Sequence, residues 1–153
     1  MAKQIKKSDA IKELENMAHE YRLKRDVTAV KKYYSESNAT ELEKCIILYC
    51  ELLKRTGFKI SAVKVETMGR QILQNGKPIF VRNNNYTGKA DISLIVNAVA
   101  IEVEVKCRFT KDLRQNEAQK KYEKQVKNAG GLYWLIRDFA EFKSKIDEYL
   151  KIR

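Results

Sequence analysis

A single histidine, His19, and three scattered cysteines rule out several common enzyme chemistries. One imidazole allows no histidine-based triad, no paired-histidine protease helix and no histidine-rich metal cage. His19 reads as a lone surface residue on a helix. Cys45, Cys50 and Cys107 are too few and too irregularly spaced for a disulfide framework or a zinc site. An odd count without a secretion signal points to a reducing compartment. The start, MAKQIKK, is basic, but the apolar run of a signal peptide does not follow it. No stretch reaches the length of a transmembrane helix, and neither an internal repeat nor a low-complexity linker is present.

The chain does have a large excess of positive charge. Its 31 Lys and Arg outnumber 20 Asp and Glu, giving a net charge of +11 over 153 residues. Each phosphate neutralised by Lys or Arg releases condensed counterions, so a basic face favours nucleic acid. An acidic membrane surface is the other partner that such charge suits. The length fits one domain, and the 44% hydrophobic content is enough to bury a core.

Hydrophobic periodicity predicts a helix over 8–23, with Ser8 as cap and Ile11, Leu14, Ala18 and Tyr21 on one face. Residues 24–36 are basic and expected to be helical, so 1–38 read as a helical extension to a domain over 39–153. A helix over 41–55 is expected to start at Thr40 and to bury Leu42, Cys45, Ile46, Tyr49 and Leu53. FKISAVKVE reads as a strand. QILQNGKPIFV reads as a hairpin turning at Asn75-Gly76. DISLIV and VAIEVEV read as two strands joined at Asn97-Ala98. A helix over 113–129 is expected to bury Leu113, Ala118, Tyr122 and Val126. LYWLI is a short strand, and a helix over 139–151 is capped by Asp138. The fold class is mixed α/β, with a central mixed sheet flanked by helices.

The chemistry concentrates on VAIEVEVK. Strand alternation puts Ile101, Val103 and Val105 on one face and Glu102, Glu104 and Lys106 on the other. Pairing about Asn97-Ala98 brings Asp91 and Lys106 to the same open end, where Asp91, Glu104 and Lys106 can converge. Two carboxylates are hard oxygen ligands for Mg²⁺. The lysine can stabilise charge that builds on a phosphorane. A cross-strand ion pair on a solvated sheet face is the competing explanation. Glu102 shares the face but lies farther from the open end, which suits a structural role.

The ordered set GKAD (88–91), EVK (104–106) and QNEAQKKYEKQVKNAGGLYWLIRDFAEF resembles the VRR-NUC group of the PD-(D/E)XK nuclease superfamily over about residues 40–150. Ala90 stands where a proline often precedes the superfamily's Asp. The resemblance implies a restriction-endonuclease-like core. It implies Mg²⁺, with Mn²⁺ as substitute, held by Asp91, Glu104 and the backbone carbonyl of Val105. Lys106 would be the catalytic lysine, and Gln119 would reach the site from the next helix. The superfamily usually adds an acidic residue from the helix before the sheet. Thr40-Glu41-Leu42-Glu43 matches a capping box, which gives Glu43 a structural task and makes Glu41 the candidate for that ligand.

A polar, basic loop precedes Asp91, with Arg70, Lys77, Arg82, Tyr86 and Lys89 as candidate phosphate contacts. Arg108, Lys120 and Lys124 complete the set, and Tyr33 and Tyr34 are candidates for base stacking or core packing. Ordinary exposed loops and solvated helix faces would look the same. The expected function is a Mg²⁺-dependent endonuclease acting on DNA. By resemblance, that DNA is branched, junction or flap DNA, met in recombination or repair by a homodimer in the cytoplasm of a bacterium or phage-infected cell. A non-catalytic basic nucleic-acid-binding module or adaptor with the same fold is the alternative.

Overall fold

The computed structural model describes residues 7–65, 69–82 and 88–152, without the side chains at 69, 70 and 82. Helix α1 (Asp9–Leu23) begins at Ser8, whose hydroxyl accepts from the Ile11 amide. Ile11, Leu14 and Ala18 enter the same core as the rest of the chain, so α1 is part of that core rather than an appendage to it. His19 is half-buried on this helix.

The helix expected over 24–36 does not form. The Asp26 carboxylate accepts from the Thr28 amide and hydroxyl at 2.9 and 2.7 Å, a local turn that competes with helix. β-Branched Val27, Thr28 and Val30 favour that outcome. The chain then runs back along α1. The Tyr34 amide donates to Glu15 Oε1 at 2.8 Å, and Ser8 Oγ and the Phe139 amide both donate to buried Glu36. Tyr34 packs against the core while Tyr33 stays exposed.

Helix α2 (Ala39–Arg55) is capped by Asn38, not Thr40. Asn38 Oδ1 accepts from the Glu41 amide at 2.9 Å, so Glu41 takes the third helical position that a Thr40 cap would give to Glu43. The predicted stripe of Leu42, Cys45, Ile46, Tyr49 and Leu53 is buried.

Strand β1 (Ile60–Lys64) follows, then β2 (Gly69–Gln74) and β3 (Lys77–Arg82), then β4 (Ile92–Val96) and β5 (Val99–Val105). Helix α3 (Glu117–Asn128), β6 (Leu132–Ile136) and α4 (Phe139–Leu150) complete the chain. The main sheet has the order β1-β4-β5-β6, antiparallel except for the parallel β5–β6 pair, whereas β2 and β3 form a separate ribbon. Ile92, Leu94, Ile101 and Val103 are fully buried and face α2 and α4. Each such side chain contributes about 1.5–3 kcal/mol through burial. On the opposite face α3 lies beside β6, and Tyr122 meets Tyr133 edge-on.

Asn97 and Ala98 both take positive φ, 50° and 67°, and close a two-residue turn. That turn centres the pairing so that Ile92 lies opposite Val103. Asp91 precedes the last paired residue, and its amide bonds back to Val103 O, so it reaches the same open end as Glu104 and Lys106. Helix α3 starts four residues later than expected, because Asn116 and Gln119 form a reciprocal capping box that ends the helix upstream. Leu113 is left outside it and exposed. Asp138 caps α4 as expected, by accepting from the Glu141 amide. All three cysteines are free and buried. Among the described residues, no helix is long and apolar enough to cross a membrane.

Candidate active site

The end of the β4–β5 hairpin away from its turn holds the charged cluster. Asp91 stands just before β4. Its amide donates to Val103 O at 3.1 Å, and its Oδ2 accepts from the Val105 amide at 2.7 Å. This fixes its carboxylate beside the backbone of β5. Glu104, from the face of β5 away from the core, is 1% exposed. Its Oε1 accepts from Gln119 Nε2 and lies 3.3 Å from Lys106 Nζ, and its Oε2 accepts from the Tyr133 hydroxyl at 3.4 Å. Lys106, itself buried, also donates to Asp112 Oδ2 at 2.9 Å.

Burial raises the pKa of both carboxyls. For Asp91 the Val105 amide opposes this shift and the Glu43 charge adds to it. Burial, then the Asp91 charge, pushes Glu104 up to about 7, against the pull of Lys106 and Tyr133. Lys106 moves up as well: burial disfavours its charge, but hydrogen bonds to Asp112 and Glu104 outweigh that cost. Two neighbouring carboxyls disfavour ionising together, and a nearby cation relieves this. Lys106 supplies one positive charge where two negative charges would sit.

The residues brought together are therefore Asp91, Glu104, Lys106 and Gln119, all singled out by sequence. Gln119 has two tasks. Its Oε1 accepts from the Asn116 amide to cap α3, while its Nε2 holds Glu104. Gly88 explains how α3 comes so close. Its φ is +81°, and a Cβ there would lie 2.6 Å from the Ala118 backbone. The glycine of GKAD thus lets the first turn of α3 pack on the chain leading to Asp91.

Glu41 is not part of this group. It pairs with Lys44 at 2.7 Å in the first turn of α2. The α2 carboxylate whose charge reaches Asp91 is Glu43, buried and paired with Lys64 at 2.8 Å. The correction follows from the cap: with Asn38 in that role, Glu43 is released from the helix end and turns to the sheet. Tyr133 and Asp112 were not foreseen either. Tyr133 had one available signal, a hydroxyl inside a buried strand, which usually finds a polar partner. Asp112 lies in an irregular loop with no pattern to mark it.

The residues suit a divalent cation in donor chemistry, with the hard carboxylates of Asp91 and Glu104 close enough at one end of the hairpin to influence each other's charge. The set is lean, however. Among the described residues, no group of three or more His, Cys, Asp or Glu stands together as a ligand cluster. Glu102 accepts from Ser93 Oγ at 2.7 Å, which matches its expected structural role.

The candidate phosphate contacts separate into several groups. Lys77 is exposed at the tip of the β2–β3 ribbon, and Arg70 and Arg82 occupy its base by register. Lys89 and Lys124 are exposed. Lys120 pairs with Glu117 at 2.8 Å, and Arg108 pairs with Asp138. Tyr86 lies outside the described residues. A cleft of about 490 Å³ between α1, α2 and α4 is a poor rival site for a polyanion, since Glu13, Glu20 and Asp147 line it against one Lys143. Comparisons with family models, with curated proteins and with solved structures return no match for this chain.

Proposed function

We propose that this chain is a Mg²⁺-dependent nuclease that hydrolyses DNA phosphodiester bonds at the Asp91–Glu104–Lys106 cluster. The observation that carries the reading is buried Glu104 beside buried Lys106, with half-buried Asp91 at the same end of the hairpin and Gln119 holding Glu104 from α3. Buried charges are costly unless paired or used. A solvated ion pair on a sheet face, the competing explanation, would not be buried this deeply. The ordered resemblance to VRR-NUC nucleases and the net charge of +11 add support.

In this reading Asp91, Glu104 and the Val105 carbonyl hold the cation, and Glu43 is the helix carboxylate behind Asp91. A bound divalent cation supplies Lewis-acid polarisation of a phosphoryl oxygen and acidifies water. The chain's own residues do the rest. Gln119 orients Glu104 by donating to one oxygen, and Tyr133 steadies the other. Lys106 provides a fixed positive charge where negative charge develops in the transition state. Asp112 holds the lysine in place. The resemblance further suggests a branched substrate and a homodimer.

The test is cleavage of linear, flapped, branched and single-stranded DNA with and without Mg²⁺. Asp91→Asn abolishes turnover yet leaves DNA binding nearly unchanged. Lys106→Met lowers turnover about 10²–10³-fold, as expected for one electrostatic stabiliser. Full activity in both variants would overturn the nuclease reading. The second reading, a binding module without cleavage, draws on the absence of a three-ligand cluster among the described residues. Calorimetric titration with Mn²⁺ separates the two, because the binding module takes up no metal that depends on Asp91.

A further inference from the structure

The β2–β3 ribbon carries apolar residues on both faces and, among the described residues, pairs with no other strand. Ile72, Leu73, Phe80 and Val81 are 37, 77, 54 and 39% exposed. Ile72 stands across from Ile79, and Leu73 across from Pro78. Cross-strand partners share a face and neighbours alternate, so these two pairs mark opposite faces. A lone hairpin is marginal in water, and exposed apolar strands invite pairing. Such a ribbon calls for an occupant that covers it.

Charge identifies the occupant. Ribbon residues 69–82 contain Arg70, Lys77 and Arg82 and no Asp or Glu. A second copy laid against the ribbon would bring like charges together with no acid to offset them. A polyanion removes that repulsion. A two-stranded ribbon fits the major groove of DNA, and apolar side chains are the kind that wedge between base steps. The location agrees. Before the ribbon, the Val65 amide donates to Asp91 O at 2.8 Å; after it, Gly88 returns the chain against Ala118, three residues before Asp91. Both stems are rooted at the carboxylate cluster.

We propose that the β2–β3 ribbon is a DNA-engaging arm, which sets its apolar side chains against base steps beside the cleavage site and its cations on flanking phosphates. The inference rests on the nuclease reading and narrows its substrate. An arm that wedges favours DNA whose stacking is already broken, because opening an intact stack costs free energy that a bulge or branch point has already lost.

The experiment uses the full chain in Ca²⁺ buffer with fluorescein-labelled DNA, intact or bulged, carrying 2-aminopurine at the bulge or at the equivalent intact position. Wild type raises 2-aminopurine fluorescence and prefers the bulged DNA. Leu73→Ser/Phe80→Ser abolishes the rise and weakens binding about tenfold. Lys77→Gln weakens binding and flattens its salt dependence but keeps the rise. Both Leu73 and Phe80 are exposed, so the double variant melts like wild type by circular dichroism, which separates the effect from misfolding. The proposal is overturned if the double variant binds and fluoresces like wild type, or if wild type gives no rise. It is equally overturned if the double variant loses self-association in sedimentation while DNA binding is unchanged, since a second copy is then the occupant. Wild type that never cleaves but passes the fluorescence test sinks the nuclease reading and leaves the arm standing.

Discussion

The two hairpins of this chain share a turn and differ in fate. Asn97 and Ala98 close β4–β5, and Asn75 and Gly76 close β2–β3; all four residues take positive φ. In β4–β5 the apolar residues fall mainly on one face, so Ile92, Leu94, Val96, Ile101, Val103 and Val105 are all buried while Ile95 on the other face is exposed. In β2–β3 they fall on both faces, and most stay exposed. The turn sets register in each, but only a one-faced pattern ties register to burial. That tie is what makes a site: once the β4–β5 register is locked, Asp91 is held against Val103 and Val105 at the end of β5 that carries Glu104.

The sharpest way to break the comparison is to remove the same methyl groups from each hairpin. Ile101→Ala opens a cavity in the fully buried face and costs about 2–5 kcal/mol. Ile72→Ala on the ribbon changes stability by no more than about 0.5 kcal/mol. Urea unfolding reads both. Equal losses would mean that the ribbon is packed in solution and that the contrast drawn here is wrong.

Gly88 links the hairpins and tests whether the site depends on the approach of α3. Gly88→Ala puts a Cβ into the Ala118 backbone and forces alanine into left-handed φ. The φ cost alone is about 1–2 kcal/mol. Displacement of α3 then loosens Gln119 from Glu104, so cleavage falls further than stability predicts. A Gln119→Ala variant should reproduce the cleavage loss. Its smaller effect on melting, that of a cap change, separates the two causes.

Much of this was legible in the sequence because it was local. The Ser8 and Asp138 caps, the Asn75-Gly76 turn and the α2 stripe each depend on a few neighbouring residues. So did Gln119, although its target depended on the resemblance. Failures arose where two local signals competed or where a distant partner decided. Asn38 and Thr40 are both good caps, and the choice between them reversed the roles of Glu41 and Glu43. Residues 24–36 have no helix breaker, yet Asp26 bonds to Thr28, and the distant Ser8 and Phe139 fix Glu36. Tyr133 meets Glu104 only through the parallel β5–β6 pairing, which no local pattern encodes.

The cap correction gives a smaller effect on the buried hairpin. Glu43→Gln removes the charge that reaches Asp91 and frees Lys64, and cleavage should drop about tenfold. Glu41→Gln loses an exposed pair with Lys44 and should leave cleavage within about twofold, with stability changed by less than about 0.5 kcal/mol. Steady-state rates on one substrate compare the two. The reverse order would restore Glu41 as the helix carboxylate of the site.

The smallest effect comes from the turns themselves. Ala98 is exposed and sits at φ 67°, a conformation that costs a non-glycine residue about 1–2 kcal/mol. Ala98→Gly removes that strain and loses no packing. Against it, glycine gives the unfolded chain more freedom, worth about 0.4–1 kcal/mol. The balance is a gain of up to about 1.6 kcal/mol, centred near about 0.8, read as a higher urea midpoint with an unchanged slope. Gly76→Ala imposes the same strain on the ribbon, at φ 72°. There the global midpoint should stay put, because the ribbon opens without unfolding the core, and amide exchange in β2 and β3 should quicken instead. If Gly76→Ala lowers the midpoint as much as Ala98→Gly raises it, the two hairpins unfold as one unit. The ribbon would then be packed structure, not a free arm.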